Sequence, residues 1–498
     1  MDLDHDTCYR ALQTRDTRFD GRFFTAVRTT GIFCRPVCPA PIPKRENCLF
    51  FSCAAAAYEA GFRPCLRCRP EISPNLFAQI GTASIVTRAL SLIAEGALDD
   101  SNVAELATQL GVGDRHLRRL FKQHLGASPL AVAQTRRLLF AKQLIDETSL
   151  SMTEIAMAAG FTSIRRFNET IHRTYQKTPR ELRRLQSTEA TTANVPEIQL
   201  KLPFNPPYNW DALIRFWKPR ATAGIEAVGS DYYRRAIALD GLHGVVEVRP
   251  VKAQNYLMAS IRFPQVAALS QIVERLRRMF DLGANVTEIT THLQADPRLV
   301  RAIAALPGLR IPGAWDTFEL AVRAILGQQI SVAAATLLAN RLVETYGEPL
   351  VVEGAPDLAP ELRFVFPTPE VLAKTDLTQL GIPRARARAV AMLAATVVGD
   401  RHYLNRFQDL DDAVRQLCQL PGIGEWTAHY IAMRALREPD AFPATDLGLL
   451  RVMERIEQPL SKAKLLDIAQ AWRPWRAYAA MYLWSLDSAM VLTTERCA

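Results

Sequence analysis

At 498 residues the chain is too long for one hydrophobic core, and about three or four domains are expected. Its 49% hydrophobic and 22% charged content is ordinary for a globular protein; no apolar run reaches the roughly 18 residues that span a bilayer, and the first 25 residues show no basic end leading an apolar stretch, so neither a membrane protein nor a secretory leader is expected. The net charge of +9 is uneven: residues 1–185 hold 26 Lys and Arg against 18 Asp and Glu, the rest 34 against 33, so bulk charge suits phosphate binding only in the first third.

Residues 1–75 form a Cys- and Pro-rich unit holding seven of the nine cysteines. Disulfides are not expected in a cytosolic chain of this size, which leaves metal or reactive chemistry. Cys34-x3-Cys38 and Cys65-x2-Cys68, separated by 26 residues, have the spacing of one tetrahedral four-cysteine Zn²⁺ site. Buried or free thiols are the alternative. So small a domain lacks a strong core, and metal ligation would supply folding energy. Cys8, Cys48 and Cys53 have no partner spacing and read as buried thiols. The run Arg28-Thr-Thr-Gly-Ile-Phe-Cys34-Arg-Pro-Val-Cys38, with Gly61-Phe-Arg-Pro-Cys65-Leu-Arg-Cys68, resembles the N-terminal domain of the Ada alkylation-response family. That resemblance implies that Cys34 is both a ligand and an irreversible acceptor of methyl from a DNA phosphotriester. The thiolate is the nucleophile, and methylating it removes a negative charge that faces DNA, which strengthens binding. Arg35, Arg45, Arg63, Arg67 and Arg69 surround the ligands, as phosphate contacts or as solvated surface.

Residues 80–185 carry helical periodicity. Val103 to Gly111 reads as a short helix ending in a glycine turn, followed by a basic helix, Asp114 to His124, with Asp114 as its cap. Met152 to Gly160 and Ser163 to Arg173 repeat the arrangement, and a long helix from about Leu130 to Glu147 joins the copies. Helix, glycine turn, basic helix is the helix-turn-helix pattern. Gly126-x-Ser-Pro129 and Lys177-Thr-Pro179 close the copies as in the AraC-type DNA-binding domain, which the segment resembles. Leu117, Leu120, Phe121 and Phe167 read as core; Arg115, His116, Arg118, Arg119, Arg165 and Arg166 are candidates for phosphate or base-edge contact.

A polar stretch, Gln186 to Asn194, reads as a linker. From Ile198 to about Arg262 short β-branched and aromatic runs predict strands, and from Ala267 onward the chain reads as helical. Near the end, Leu420-Pro-Gly-Ile-Gly424 is followed 22 residues later by Asp446. A bare Pro-Gly-x-Gly is usually a turn, and Asp446 in Ala-Thr-Asp-Leu is also a plausible helix cap. Trp315 to Ser331 (WDTFELAVRAILGQQIS), this hairpin and Asp446 together resemble the AlkA-type helix-hairpin-helix 3-methyladenine DNA glycosylases. Pro206-Pro-Tyr-Asn-Trp210, Asp231-Tyr-Tyr233 and Gly244-Val-Val246 resemble that family's β-rich N-terminal domain.

The resemblance implies an α+β domain over 198–290 and an all-α glycosylase core over 291–498. It implies that Gly422 and Gly424 present a DNA phosphate to backbone N–H groups or to a monovalent cation. Gln328 and Gln329 would sit at the DNA, with Gln329 filling the gap left by the flipped base where the family has leucine. Trp426, Tyr430 and Trp484 would line the base pocket and attract cationic bases, and Asp446 would stabilise the sugar cation. Asp440 and Asp487 are nearby carboxylates without the same context. Lyase-competent relatives carry lysine where this chain has Trp426, so hydrolysis without strand cleavage is expected. Only Cys497 follows the hairpin, so no iron–sulfur cluster is expected there. Ada's Pro-Cys-His-Arg methyltransferase motif is absent, so O6-methylguanine repair is not expected.

The whole reads as a multidomain, mainly α protein with α+β parts. It would be a bifunctional adaptive-response regulator and monofunctional glycosylase in the bacterial cytoplasm, at the nucleoid. It would act on alkylated and promoter double-stranded DNA, with RNA polymerase as a partner and no membrane. Two other readings stay open: a transcription factor whose glycosylase-like half only binds DNA, and a constitutive glycosylase with DNA-tethering modules.

Overall fold

The computed structural model describes residues 4–76, 84–185, 197–352, 360–457 and 460–494. The expected linker, Gln186 to Asn194, and Cys497 lie outside these. The chain divides into two units. One comprises Met1–Pro206, Leu239–Arg277 and Val352–Pro356; the other comprises Pro207–Ala238, Arg278–Val351 and Asp357–Ala498.

The first unit begins with helix α1 (His5–Thr14) and a small sheet ordered β3-β1-β2-β4: β1 (Phe24–Val27), β2 (Ile32–Cys34), β3 (Cys48–Phe51) and β4 (Arg63–Pro64). Helix α2 (Ala54–Glu59) follows β3. Strand β2 ends on Cys34 and runs parallel to β4, which delivers Cys65. Cys8, Cys48 and Cys53 are buried, as expected.

Helices α3 (Ser84–Ala94), α4 (Val103–Gln109), α5 (Asp114–Leu125), α6 (Pro129–Glu147), α7 (Met152–Ala158), α8 (Ile164–Tyr175) and α9 (Pro179–Arg184) follow. The sequence reading placed the starts of α4 to α8 to within a residue. Asn102, Ser128, Ser151, Ser163 and Thr178 each cap a helix by accepting amide N–H bonds, and Ser151–Glu154 and Thr178–Glu181 are full capping boxes. Asp114 is a correction. Gly113 holds the cap position without a side-chain bond, and Asp114 is the first helical residue, paired with Arg118 at 2.7 Å.

A buried ionic cluster fastens the cysteine module to α6. Lys142, 2% exposed, bonds Asp146 and lies 3.7 Å from Glu71. Arg69, in the left-handed region at φ +52°, reaches Glu71 (3.0 Å), Asp146 (3.1 Å) and Glu147 (3.1 Å). The other oxygen of Glu147 accepts from the backbone N–H of Lys201 at 3.0 Å. Lys201 lies on strand Ile198–Pro203, which pairs antiparallel with Tyr256–Arg262, itself paired with Leu242–Pro250. Gly244 is required in this ladder, because a Cβ there would stand 2.3 Å from the Arg262 carbonyl oxygen.

The second unit starts with a helix the sequence reading missed, Trp210–Trp217; Trp210, Leu213, Ile214 and Trp217 are its buried face. Hairpin Glu226–Val228/Tyr233–Leu239 follows. The remainder is helical, with one small strand pair, Glu348–Pro349 with Phe364–Val365. Two hydrophobic cores form. One collects Phe318, Val322, Ile325, Leu393 and Leu417; the other collects Ile289, Leu449, Trp472 and Tyr482. Helix Glu425–Arg434 serves both, giving Ile431 to the first and Ala432 and Met433 to the second.

These contacts differ in what their loss should cost. Asp146→Ala leaves Lys142 buried without its closest anion and should cost about 3–5 kcal/mol, read as lost hydrogen-exchange protection of the α6 amides. Arg165→Ala breaks an exposed pair and should cost under about 0.5 kcal/mol in the same measurement. In the second unit, burial first and Arg476 second hold the pKa of His429 at about 4 instead of 6.5, and its Nδ1 accepts from the Phe442 N–H at 3.3 Å. A depressed folded-state pKa contributes stability above the unfolded value, and that stability is lost as pH falls. All seven tryptophans lie in this unit, so their fluorescence reports it. The urea midpoint should fall between pH 6.5 and about 4, and His429→Gln should flatten the slope.

Candidate active site and metal centre

The sulfurs of Cys34, Cys38, Cys65 and Cys68 all lie within 4.8 Å of one another. This all-sulfur set matches a tetrahedral Zn²⁺ site in number, type and spacing. The four are not equivalent. Cys38, Cys65 and Cys68 are buried, whereas Cys34 is partly exposed. The Arg35 N–H donates to Cys68 Sγ at 3.3 Å, and amide N–H groups of Ala40 and Cys68 face Cys38 and Cys65. An N–H donor draws charge from a thiolate, so these three buried sulfurs are partly quenched.

The arginines around the ligands divide. Arg35 is only 12% exposed, pairs with Asp20 and bonds the Cys68 carbonyl at 3.2 Å, which commits it to holding the ligand loops. Arg69 is committed to the α6 cluster. Arg45 pairs with Asp6 at the surface, Arg67 is exposed and Arg63 is partly so. On the helical module the N-terminal turns of α5 and α8 are open. Arg115, Arg118, Arg119, Arg165 and Arg166 are exposed and His116 is half-buried. Arg118 and Arg165 spend contacts on Asp114 and Glu169, pairs weak enough for phosphate to displace.

In the second unit Asp446 caps helix Leu447–Ile456. Its Oδ1 accepts from the N–H groups of Gly448 (2.9 Å) and Leu449 (3.0 Å) and from Trp484 Nε1 (2.8 Å). Its Oδ2 accepts from Trp426 Nε1 at 2.8 Å. The capping reading of this residue is realised, and two indoles converge on the same carboxylate. Three helices meet at one carboxylate, which stays half-buried. Gly448 leaves the room this requires, since a Cβ there would come within 3.0 Å of Asp446 Oδ1. The Trp426 and Tyr430 rings stack with centroids 5.3 Å apart, and Trp484 is tilted by 55° at 6.4 Å from Tyr430. The other carboxylates have different work. Asp440 is held by Arg473 and Arg476, and Asp487 by Arg451.

The hairpin joins helix Leu410–Cys418 to helix Glu425–Arg434. Gly422, at φ +85°, packs so closely that a Cβ would meet Ala389 at 2.7 Å. Gly424 has open space instead, and as the helix's cap position it carries no side-chain cap bond, leaving the first amides without a side-chain partner from the cap. Gln328 Nε2 donates to the Gly422 carbonyl (2.8 Å) and to Thr427 Oγ1 (2.9 Å), tying its loop to the hairpin. Gln329 is exposed at φ +56°, a strained conformation for a side-chain-bearing residue.

Sequence reasoning missed the residues behind Tyr430. Its hydroxyl accepts from Arg434 Nη1 at 2.5 Å, and the Arg434 guanidinium lies 4.7 Å from the Phe216 ring, with Arg220 on that ring at 4.0 Å. The four-residue spacing of Tyr430 and Arg434 on one helix was a usable signal. Phe216 and Arg220, some two hundred residues earlier, gave none.

Comparison with known families matches residues 7–71 to the metal binding domain of Ada, 106–185 to a helix-turn-helix domain, 199–316 to the AlkA N-terminal domain and 322–477 to the HhH-GPD superfamily of base excision DNA repair proteins. The chain is 40% identical over 487 residues to the probable bifunctional transcriptional activator/DNA repair enzyme AlkA of Mycobacterium tuberculosis, covering 97% of both chains. DNA-3-methyladenine glycosylase 2 of Escherichia coli is 35% identical over 286 residues, 57% of this chain and 95% of that one. Among solved structures, the 3-methyladenine DNA-glycosylase from Archaeoglobus fulgidus superposes with a TM-score of 0.51 at 25% identity, covering 58% of this chain and 98% of the other. With four matched domains and likeness along its whole length, the chain belongs to the AlkA family of bifunctional transcriptional activator/DNA repair enzymes.

Proposed function

We propose that this protein excises alkylated bases from DNA at Asp446 and senses alkylation at Cys34, and that the second event turns the helix-turn-helix module into a transcriptional activator. The observation that carries the excision reading is the Asp446 carboxylate, fixed by four donors between two tryptophans. The first amides after Gly424 receive one backbone phosphate, and a monovalent cation at the hairpin carbonyls would add to the attraction. Gln329 enters the stack as the damaged nucleotide flips out. The base, 3-methyladenine among others, lies against Trp426, Tyr430 and Trp484. Asp446 then stabilises positive charge on the deoxyribose as the glycosidic bond breaks, and water completes the hydrolysis. Trp426 stands where a Schiff-base lysine would be needed, and an indole is not such a nucleophile; the strand stays intact.

At the cysteine cluster, bound Zn²⁺ would keep the sulfurs as thiolates at neutral pH. Cys34 Sγ attacks the methyl carbon of a phosphotriester. The S–C bond forms, the C–O bond breaks, and its electron pair stays on the phosphate oxygen, restoring the anionic diester. The lost negative charge lowers repulsion from DNA, the exposed arginines of α5 and α8 hold promoter DNA, and RNA polymerase is recruited there.

Single-turnover release of 3-methyladenine should fall at least about a hundredfold in Asp446→Asn while duplex binding persists. Retained release would sink the catalytic assignment, and no release by wild type would leave a regulator that only binds DNA. Cys34→Ala should abolish uptake of labelled methyl from methylated DNA. If methylation of wild type leaves promoter affinity unchanged, the protein is instead a constitutive glycosylase with tethering modules.

A further inference from the structure

Past residue 185 the chain is nearly neutral, 34 Lys and Arg against 33 Asp and Glu, so a positive face in the second unit has to be built locally. Helix Arg384–Gly399 builds one. It carries three arginines in its first five residues, Arg384, Arg386 and Arg388, and no acidic residue along its 16. Cations at a helix N-terminus oppose the macrodipole, and like charges four residues apart repel. Arg384 and Arg388 meet both penalties, so the stability of their own helix does not account for them. Both are exposed, and neither makes a hydrogen bond or ion pair among the described residues. Asp376 attracts Arg384 from beyond ion-pair distance and is occupied in capping its own turn, accepting from the Thr378 N–H at 3.0 Å. Exposed Arg341, on helix Val332–Tyr346, adds a further charge nearby by donating to the Leu380 carbonyl at 3.5 Å, just before the Gly381 turn.

The same turns support the hairpin. A Cβ on Gly422 would meet Ala389 at 2.7 Å and the Ala385 carbonyl at 3.9 Å, and these alanines directly follow Arg388 and Arg384. Arg386 donates to the Leu326 carbonyl at 3.4 Å, at the end of helix Thr317–Leu326 from which Gln328 and Gln329 follow. Gln328 in turn bonds the Gly422 carbonyl. The Gln329 loop, the hairpin and the first turns of helix Arg384–Gly399 are therefore packed as one body. We propose that Arg384 and Arg388 hold a second DNA backbone phosphate, apart from the one at the hairpin amides; this rests on the reading that the hairpin binds DNA. Residues four apart on a helix have Cβ atoms about 5–6 Å apart, close enough for two guanidinium groups to reach one phosphate. A bound phosphate relieves both the repulsion and the dipole penalty, so what disfavours the empty helix favours the complex.

The test uses the full chain and a duplex containing 3-methyladenine. Binding is followed by fluorescence anisotropy, and single-turnover base release is titrated with protein, both across salt concentrations. The release titration reads engagement by the second unit, where the helix-turn-helix module cannot substitute. Wild type is compared with Arg384→Gln, Arg388→Gln, the double variant and Arg401→Gln. Arg401, 80% exposed just past the opposite end of the helix, removes the same charge away from the hairpin. Each of the two arginine variants should raise the half-saturating protein concentration about threefold or more at low salt. Each should reduce the slope of log affinity against log salt by about 1, and the double variant by about 2. Arg401→Gln should keep the wild-type slope. The urea midpoint of Arg384→Gln should not fall, because a cation has left the positive end of a helix. Unchanged slopes, an equal change in Arg401→Gln, or weaker binding accompanied by a lower urea midpoint would overturn the proposal. Wild type that releases no base while the anisotropy slopes change as expected would remove the excision reading and leave the phosphate contact standing.

Discussion

The second unit depends on one carboxylate. Asp446 caps its own helix and takes an indole N–H from each of two others, so the N-terminus of one helix, the first turn of the hairpin's second helix and the last long helix are fixed to a common point. This works because helix Glu425–Arg434 belongs to both hydrophobic cores and cannot slide on either without opening the other. Trp426 and Tyr430 are carried on that shared helix, so aromatic wall and carboxylate are set by packing rather than by a mobile loop. In the proposed mechanism the first amides of the same helix serve the phosphate. A shift of the backbone contact would therefore move the pocket with it, which couples grip on the strand to geometry at the glycosidic bond.

In the first unit one junction is fixed by charge. Arg69, Glu71, Lys142, Asp146 and Glu147 are buried together where the cysteine module meets the long helix α6. Such clusters add little net stability over apolar contacts of the same volume, but each member strongly penalises any arrangement that leaves it unpaired. The result is one defined docking of the module rather than a loose tether. Arg69 directly follows the ligand Cys68, so the ligand loop and the helical module share an anchor.

What was legible in the sequence was local chemistry. Cysteines in close pairs and glycine turns before basic helices act over a few residues, and the structure brings the four paired cysteines into one cluster. The Asp114 cap failed because Gly113 can take the cap conformation without a side chain, which frees Asp114 for Arg118. Helix Trp210–Trp217 was hidden among strand-like aromatic runs, although its buried residues recur at helical spacing. Arg35 read as a phosphate contact or solvated surface because sequence cannot show that Asp20 would reach it. The arginines behind Tyr430 were invisible for a similar reason. Phe216 and Arg220 reach the pocket only through tertiary packing, and composition gives no hint of which of many arginines will be buried.

The two sites answer one electrostatic question. Alkylating a phosphate removes a negative charge from DNA, and N-alkylating a purine adds a positive one. In both lesions the target is less negative than intact DNA. Each site presents an anion-bearing group to it: a cysteine cluster whose accessible sulfur is Cys34, and a carboxylate framed by electron-rich rings. Intact phosphodiesters repel a thiolate, and a neutral, well-stacked base gains little from an aromatic pocket. On the proposed roles of Cys34 and Asp446, undamaged DNA would be refused by charge before shape is consulted. The same logic limits the enzyme, because a lesion that leaves the base uncharged offers no such attraction.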